Sequence, residues 1–391
     1  MVTLDDALKM VLSHVLPAGR EMVQLTNALN RVLALDIIMD TDVPSADKTA
    51  VDGYACRAAD IHEPMKVLEV IPAGKPPSLQ VGKGECSKIM TGAMVPEGAD
   101  MVIMVEDTEE VTPGFIRFTK SYSSKNIRYK GEDLTTGDFV LKAGTCLNPV
   151  HLGILASAGL KEVLVARKPF AAVMSTGDEV IEPGETLQPW QVRNSNAYQL
   201  YGQILEAGGR PSYLGISRDD AGEIRKTIQN ALGQYDLLFL TGGVSMGDFD
   251  LVPGILKELG VHILFDSIAV QPGRPTLFGI RDKTYIFALP GNPVSAFIQF
   301  ELLAKPLIYK MMGADFQPAM IKLKMACDYT RKKARRMALL PVEINANSEI
   351  VPLEYHGSAH LNAYARAFGI IRIPEGTEHI SKGDWLDVRP L

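Results

Sequence analysis

Three polar loops of this chain carry the residue types best suited to bind a phosphorylated ligand. They read STGDE at 175–179, TGGVSMGDFD at 241–250 and PGNPVS at 290–295, and each follows a short apolar run. Glycine lets backbone amides approach an anion closely, and the first amides of a helix point towards one. Since ligands of open parallel sheets bind at the carboxyl ends of the strands, we expect these loops to form one site.

The residues of these loops fall into two chemical groups. Hydroxyls, flexible glycines and a helix start would donate hydrogen bonds to phosphate or another oxyanion, at Ser175, Thr176, Gly177, Gly242, Gly243, Ser245, Gly247, Gly291, Asn292 and Ser295. Pro290 has no donor and would only shape the turn that leads to this helix. Carboxylates lie in two of the loops, at Asp178 and Glu179 and at Asp248 and Asp250, and the second pair could hold a divalent cation against phosphate. Taken singly, each loop also fits a polar turn, solvated acids, or a helix capped by Asn292 with Pro293 in its first turn. Their coincidence at one sheet edge favours a binding site.

The apolar pattern after Lys168 predicts the sheet that positions these loops. Helices are expected at 197–207 and after Asp220. Strands are expected at FAAVMS (170–175), at 211–216, at YDLLFL (235–240), at HILFD (262–266) and at TYIFAL (284–289). Such alternation of strands and helices predicts βαβ units around a parallel sheet.

Two helices have clear start signals. The N-terminal helix is expected to begin at a capping box formed by Thr3 and Asp6. The helix at 197–207 is expected to be capped by Asn196 and to end at Gly208-Gly209. The predicted buried face of this second helix comprises Ala197, Leu200, Tyr201, Ile204 and Leu205.

Mainly β segments are expected on both sides of this α/β region. Between about 41 and 138, short apolar runs such as KVLEVI and MVIMVE alternate with turn clusters such as PAGKPP. After Gly313, polar residues alternate with the apolar side of a predicted half-buried strand, at Ile321, Leu323, Met325 and Cys327. With 391 residues the chain exceeds one ordinary core, so we expect two to four domains.

Composition argues against several classes of protein. A net charge of −6 does not suit unspecific binding to nucleic acid. No run reaches the roughly 20 apolar residues of a membrane span. Asp5 and Asp6 lie where a signal peptide would carry positive charge. We therefore expect a soluble cytoplasmic protein. Walker A, Gly-x-Ser-x-Gly and His-Glu-x-x-His sequences are absent. The cysteines are too far apart for a zinc knuckle and are expected to be buried thiols, at Cys56, Cys86, Cys146 and Cys327.

The three loops resemble those of the molybdopterin molybdenumtransferases, the family of MoeA and the gephyrin E domain. Upstream segments add to the resemblance: VDGYA at 51–55, MTGA at 90–93, and Gly131-Glu132-Asp133 after Arg128. The resemblance runs in order along essentially the whole chain.

The resemblance implies a multidomain protein of the α/β plus β class with a central parallel-sheet, molybdopterin-binding domain. The implied parts are an elongated linker domain (19–40 and 139–167), an inserted mainly β domain (41–138), the α/β domain (1–18 and 168–313) and a C-terminal β domain (314–391). It also implies a homodimer, with the active-site cleft between the α/β domain of one subunit and the inserted domain of the other.

The resemblance also implies a reaction. Adenylylated molybdopterin and molybdate are the implied substrates, and AMP leaves in a magnesium-dependent step as the metal enters the dithiolene. Asp52, Thr91 and Asp133 would reach in from the partner subunit. The candidate magnesium ligands are Asp178, Glu179, Asp219, Asp248 and Asp250. Asp219 and Asp220 remain alternatives at one of these positions, since either could instead cap the following helix. The adenylyltransferase and cofactor-free molybdoenzymes are the implied protein partners.

Departures from the family pattern concern the oxyanion. The usual Lys-Pro-Gly-Lys-Pro appears as Gln271-Pro272-Gly273-Arg274-Pro275, so Arg274 keeps one charge and Gln271 loses one. Leu340 stands where a second arginine is usual, whereas Ser358 fits the expected serine. These departures leave open a tungstate-inserting paralogue, a carrier or scaffold that binds molybdopterin without turnover, and a paralogue that acts on another nucleotide-linked compound.

Overall fold

The computed structural model describes residues 1–243, 251–354 and 360–391. Two compact units are present: Met1–Leu35, Ala143–Pro149 and Glu162–Leu391 form the first, and Asp36–Lys142 with Val150–Lys161 form the second. Some of the predicted site residues lie outside the described ranges, namely Ser245, Gly247, Asp248, Asp250 and Ser358. No helix in the described ranges is long and apolar enough to cross a membrane.

A six-stranded sheet forms the centre of the first unit. In chain order its strands are β1 (Phe170–Thr176), β2 (Arg210–Ser217), β3 (Leu237–Thr241), β4 (His262–Phe265), β5 (Leu277–Arg281) and β6 (Thr284–Leu289). The spatial order is β2-β1-β3-β6-β5-β4. Strands β2, β1, β3 and β6 are parallel, whereas β5 and β4 continue the sheet antiparallel. The predicted strands are all present, and β5 is an addition that the sequence pattern did not indicate.

Helices cover both faces of this sheet. They are α1 (Leu4–Ser13), α2 (Ser195–Glu206), α3 (Ala221–Ala231), α4 (Val252–Glu258), α5 (Pro293–Gln299) and α6 (Lys305–Met311), with a π-helical segment at Phe300–Ala304 between the last two. The predicted capping box of α1 is confirmed, because Thr3 Oγ1 accepts from Asp6 N and donates to the Asp6 carboxylate. The buried residues of α1 and α2 share one core with the apolar face of α5 and α6.

The start and the buried face of α2 differ from the prediction. Asn194 is the N-cap, with its side chain accepting from Ala197 N, so the helix begins earlier than a cap at Asn196 implies. Tyr201 and Leu205 are 39% and 53% exposed, so their assignment to the buried face is wrong. The buried stripe runs instead through Asn196, Ala197, Leu200, Gln203 and Ile204, because polar amides on this face find partners in α5 and its loop.

The C-terminal part of the first unit is a second, mainly antiparallel sheet. Its strands are Val270–Gln271, Met337–Ile344, Ile350–Pro352, Gly369–Ile373, Trp385–Pro390 and Ile321–Lys324, and a small sheet pairs Tyr329–Thr330 with His379–Ile380. The predicted strand at 321 is present, with Met325 buried and Leu323 half-buried. Ile321 and Cys327 are exposed, because Ile321 lies at the solvent-facing end and the strand stops at Lys324.

The second unit is mainly β, as its apolar runs predict. Its six-stranded sheet has the spatial order Met101–Met104, Gly53–Cys56, Glu85–Ile89, Met65–Ile71, Phe115–Phe118 and Thr108–Thr112. Short pairs join Lys48–Thr49 to Ile127–Arg128 and Ile37–Ile38 to Phe139–Leu141. Most of the helix Pro149–Ser157 also belongs here, whereas Arg20–Gln24 pairs with Glu162–Ala166 in the first unit.

The four cysteines differ in burial, so the prediction of four buried thiols is wrong for two of them. Cys56 and Cys86 are buried opposite one another on paired strands, whereas Cys146 and Cys327 are exposed, and none forms a disulfide. Burial raises the pKa of Cys56 and of Cys86 to about 12, so both thiols stay protonated at neutral pH.

A buried cluster of charges joins the C-terminal sheet to the α/β domain. Arg389, on strand Trp385–Pro390, donates to the Glu301 carbonyl at 2.7 Å and approaches its carboxylate at 3.4 Å. Lys305 and Gln203 donate to the two carboxylate oxygens of Glu301 at 3.1 and 2.9 Å. Because every charge in the cluster has a partner, burial is tolerated and the two elements are held in one arrangement.

Replacement of Arg389 by alanine should therefore lower the free energy of unfolding by about 3 kcal/mol, since Glu301 would keep its charge but lose a buried partner. The measurement is urea denaturation followed by tryptophan fluorescence, because Trp385 lies on the same strand. Arg372→Ala is the matched control: Arg372 is exposed and pairs with exposed Asp5, so a loss of at most about 0.5 kcal/mol is expected. Equal losses for the two variants would contradict a special role of the cluster.

Candidate functional site

A cleft of about 540 Å³ lies at the carboxyl ends of β1, β3 and β6. The structure brings the described parts of the three predicted loops together here, along with a segment that precedes α2. The lining residues are Ser175, Thr176, Glu179, Val180, Val192, Arg193, Asn194, Ser195, Asn196, Thr241, Gly242, Gly291, Asn292 and Pro293. The volume lies within the range of about 300–1,000 Å³ that is usual for small-molecule sites.

Asn196 ties the walls of this cleft together. Its Nδ2 donates to Thr241 Oγ1 at 2.7 Å and to the Gly291 carbonyl at 2.9 Å. Thr241 ends β3 and Gly291 follows β6, so one buried side chain joins α2 to two of the three loops. The clamp fixes the width of the cleft before any ligand binds.

Asn194 organises the opposite wall. Its Oδ1 accepts from Ser175 Oγ at 2.9 Å and from Ala197 N at 3.2 Å, and its Nδ2 donates to the Tyr213 hydroxyl at 2.8 Å. Tyr213 in turn donates to Glu182. Burial and the neighbouring Glu182 carboxylate raise the pKa of Tyr213, so the phenol stays protonated and keeps its donor role. The Ser175 hydroxyl hydrogen is therefore engaged within the wall.

The turn after β3 requires glycine. Gly242 has φ +94°, and a Cβ there would lie 2.4 Å from the Thr176 carbonyl oxygen. Gly243 has φ +62°, and its Cβ would lie 3.0 Å from Thr176 Oγ1. Both the left-handed backbone and the close approach of β1 to this turn exclude a side chain. Thr176 Oγ1 is buried there without a hydrogen-bond partner among the described residues.

The acidic loop residues divide between the site and a helix cap. Asp178 and Asp219 each accept from the backbone N–H of the other at 3.3 Å. Asp220 caps α3 by accepting from Glu223 N at 2.8 Å, which leaves Asp219 beside Asp178 at the edge of the site. The described residues contain no group of three or more His, Cys, Asp or Glu side chains suited to a metal ion. The described part alone thus does not assemble the predicted magnesium ligands, of which Asp248 and Asp250 lie outside it.

The remaining residues of the predicted site lie in or beside these loops. Asn292 occupies the predicted N-cap position of α5, and Pro293 lies in the first turn of this helix. The Asn292 side chain makes no capping hydrogen bond, and Asn292 lines the cleft. The Pro290 carbonyl accepts from Thr241 Oγ1 at 3.4 Å, and Gly177 N donates to the Ser217 carbonyl at 3.3 Å. Ser295 is buried and does not line the cleft.

A second cavity, of about 970 Å³, lies beside Gln271 and is strongly basic. Its cations are Lys332, Lys333, Arg335 and Arg336, with Glu375 and Glu378 on the other side. Arg331 holds this loop by donating to the carbonyls of Thr377, Pro374 and Arg336. Arg274 is exposed in the adjacent turn, and Leu340 is buried in the core of the C-terminal sheet.

In the second unit, Asp52 and Thr91 form a pair of their own. Asp52 Oδ1 accepts from Thr91 N at 2.6 Å and from Thr91 Oγ1 at 2.7 Å. These two bonds hold the pKa of Asp52 below its ordinary value. Asp133, the third residue that the resemblance assigns to this unit, is paired with Arg128.

Comparison with known proteins accounts for nearly the whole chain. Residues 2–159 match the MoeA N-terminal region (domain I and II), residues 172–310 a probable molybdopterin binding domain, and residues 322–391 the MoeA C-terminal region (domain IV). Molybdopterin molybdenumtransferase of Staphylococcus aureus strain MRSA252 is 34% identical over 94% of this chain and 90% of its own length. The chain belongs to the MoeA family.

Other comparisons extend the MoeA relationship to the fold. The S. epidermidis (strain ATCC 35984) molybdopterin molybdenumtransferase is 32% identical over 99% of this chain and 95% of its own length. A crystal structure of the molybdopterin biosynthesis MoeA protein from Pyrococcus horikoshii superposes with a TM-score of 0.86 at 33% identity, covering 100% of this chain and 99% of that one. The multidomain α/β plus β architecture implied by the resemblance is therefore that of the MoeA family.

The sequence pattern did not identify Arg193, Asn194 and Asn196 as residues of the cleft. Arg193 and Asn194 precede α2, and Asn196 lies in its first turn. Asn194, Asn196 and Arg193 all line the cleft of this MoeA-family chain. The available signal was the pair of asparagines around Ser195: one cap is enough for a helix, so a second buried amide at the same helix start points to another role.

Alanine at Gly242 should destabilise the protein by at least about 3 kcal/mol, because positive φ and a collision with β1 act together. Gly233→Ala is the matched control: Gly233 has φ +82° with nothing within 4 Å of its Cβ, so a loss of only about 1 kcal/mol is expected. Chemical denaturation of both variants gives the comparison. A loss for Gly242→Ala no larger than that for Gly233→Ala would show that the close approach to Thr176 has no consequence.

Removal of the Thr91 hydroxyl should raise the pKa of Asp52 towards its ordinary value, since the hydroxyl stabilises the carboxylate form. NMR titration of the Asp52 carboxyl carbon in Thr91→Val measures the change. The bonds favour the charged form, so their contribution is lost as pH falls through the lowered pKa. Asp42, whose pKa is lowered by Thr136 in the same way, is the internal control and should not change. The Thr91 N–H bond remains in the variant, so the pKa should rise without reaching its ordinary value; a pKa of Asp52 unchanged from the wild type would contradict this assignment.

Proposed function

We propose that this protein catalyses metal insertion in molybdenum cofactor biosynthesis, taking adenylylated molybdopterin and molybdate and releasing AMP. The observation that carries the proposal is the cleft clamped by Asn196 at the carboxyl ends of three parallel strands. It lies within the part of the chain that matches a probable molybdopterin binding domain, and relatives named molybdopterin molybdenumtransferase align along nearly the whole chain.

The cleft would act by prearranged hydrogen-bond donors. Gly291 brings backbone close to the cleft, and the Asn292 side chain, free of a capping bond, adds an amide at the start of α5. The Gly242 N–H is already donated to the Leu289 carbonyl, so Gly242 only shapes the wall. Donors that are fixed before the reaction stabilise developing negative charge without reorganisation. Departure of AMP places such charge on a phosphate oxygen, so this wall is suited to hold the phosphate as the bond breaks.

The molybdate would bind near the turn at 271–275, as the family resemblance suggests. The lysine that this turn lacks at Gln271 is offset by the basic loop, whose Lys332, Lys333 and Arg335 are exposed in the same cavity and form no ion pair with a described residue. An oxyanion near Gln271 would therefore lie close to the cations of the basic loop and to Arg274. The resemblance adds the hydroxyl of Ser358 as a further hydrogen-bond donor.

Magnesium, the partner subunit and the cellular setting complete the proposal. The carboxylates Asp178, Glu179 and Asp219 are hard oxygen ligands of the kind that magnesium prefers. They do not form a complete set of ligands within the described residues. We further propose a cytoplasmic homodimer in which Asp52, Thr91 and Asp133 serve the partner's cleft, with the adenylyltransferase and cofactor-free molybdoenzymes as partners.

The decisive experiment incubates the purified protein with adenylylated molybdopterin, magnesium and either molybdate or tungstate. AMP release is followed together with activation of a cofactor-free molybdoenzyme. Release and activation with molybdate would support the proposed reaction, and the same result with tungstate alone would identify a tungstate-inserting paralogue. Tight binding of adenylylated molybdopterin without AMP release would refute an enzymatic role and favour a carrier.

Asp219→Asn should lower the rate of AMP release at least about tenfold, because Asp219 would be one of the carboxylates that hold magnesium. Weaker binding of a cation that offsets the phosphate charge is expected to cost above about 1.4 kcal/mol in the transition state. Asp220→Asn is the matched control, because it removes the same charge from the next residue while asparagine keeps the cap of α3. Its rate should equal that of the wild type. If the two variants lose activity to the same extent, Asp219 has no specific role.

A further inference from the structure

Arg193 is the only positively charged side chain among the described residues that line the cleft. Glu179 is the only acid among those same residues. The other lining groups are neutral hydroxyls, amides, glycines and apolar side chains, so the sign of the charge that this wall favours depends on Arg193. Neither the sequence motifs nor the proposed reaction assigns this residue a role.

The backbone holds Arg193 firmly at the wall. It lies on the two-residue strand Val192–Arg193, which pairs in parallel with Val180–Ile181 behind β1. Val192 N donates to the Glu179 carbonyl and Asn194 N to the Ile181 carbonyl, both at 2.8 Å. The next residue, Asn194, is buried and bonded on both sides of its amide, so the position of Arg193 is fixed by its neighbours.

The Arg193 guanidinium, in contrast, is largely unused. Its one hydrogen bond to a described residue is a long contact with the Glu185 carbonyl, 3.4 Å from NH2, and no described carboxylate forms an ion pair with it. Two other arginines of this domain are paired with carboxylates, Arg167 with Asp236 and Arg225 with Glu258. An exposed arginine that lines a cleft and forms no ion pair with a described carboxylate keeps its hydrogen-bond donors available for an anion from solution.

We infer that Arg193 binds a phosphate group of the nucleotide-linked substrate and makes the cleft selective for phosphorylated ligands. This inference rests on the proposed function. A planar guanidinium can donate two parallel hydrogen bonds to phosphate oxygens, which a neutral amide wall does not match. Arg193 also precedes the N-terminus of α2, a helix of 12 residues whose positive end favours an anion at the same place.

The test compares AMP with adenosine, because the two ligands differ only in the phosphate. Isothermal titration of the full-length protein at fixed ionic strength gives both dissociation constants. Arg193→Ala should weaken AMP binding about 10- to 100-fold, the range expected for loss of charge-assisted hydrogen bonds, and leave adenosine binding unchanged. Arg193→Lys should give an intermediate value, since a point charge replaces the planar fork.

Arg225→Ala is the matched control, because it removes the same charge from the exposed face of α3 of this domain. It should not change the affinity for AMP. Equal loss of AMP and adenosine binding in Arg193→Ala would mean a structural role and overturn the inference, as would an unchanged affinity for AMP or a wild type that binds adenosine as tightly as AMP. A wild type that binds neither AMP nor adenylylated molybdopterin would refute the proposed function itself.

Discussion

The side-chain amide of Asn196 is the interaction on which the geometry of the cleft depends. It joins residues separated by 45 and 95 positions in the chain, Thr241 and Gly291, to the start of α2. Each bond contributes only about 1 kcal/mol of net stability, but buried acceptors left without a donor cost about 1–3 kcal/mol each. The strand ends therefore cannot separate cheaply, and the cleft keeps one width with or without a ligand.

A neutral amide also organises the opposite wall of the cleft. Asn194 satisfies Ser175, the first turn of α2 and the Tyr213 phenol without placing a charge in the wall. Internal ion pairs would compete with an anionic ligand, whereas a neutral network positions donors and leaves the local potential to the few charged groups that reach the cleft. The positions of the walls and the charge of the site are thus set by different residues.

The sequence predicted the framework of this fold better than its site. The strands of the central sheet and the capping box at Thr3 follow from hydrophobic period and local capping, which are properties of neighbouring residues. The order of the sheet, the antiparallel strand β5 and the buried face of α2 depend on long-range packing. Asn196 illustrates the limit. Its place beside a predicted helix start suggests an N-cap, whereas in the structure its side chain bonds to Thr241 and Gly291, which lie far from it in the chain.

The departure from the family pattern at Gln271 has to be judged by its surroundings in space. Strand Val270–Gln271 pairs with Met337–Ile344, and Arg336 donates to the Val270 carbonyl at 3.1 Å, so this turn is joined to the basic loop at 331–336. The C-terminal sheet that carries the loop is itself held to the α/β domain by Glu301 and Arg389. Loss of one lysine in the turn therefore does not leave it without positive charge, because the contacts that fix the sheet also fix the cations beside Gln271. The resemblance in sequence implies a missing charge at Gln271, but it does not show the charges that the folded chain places next to that residue.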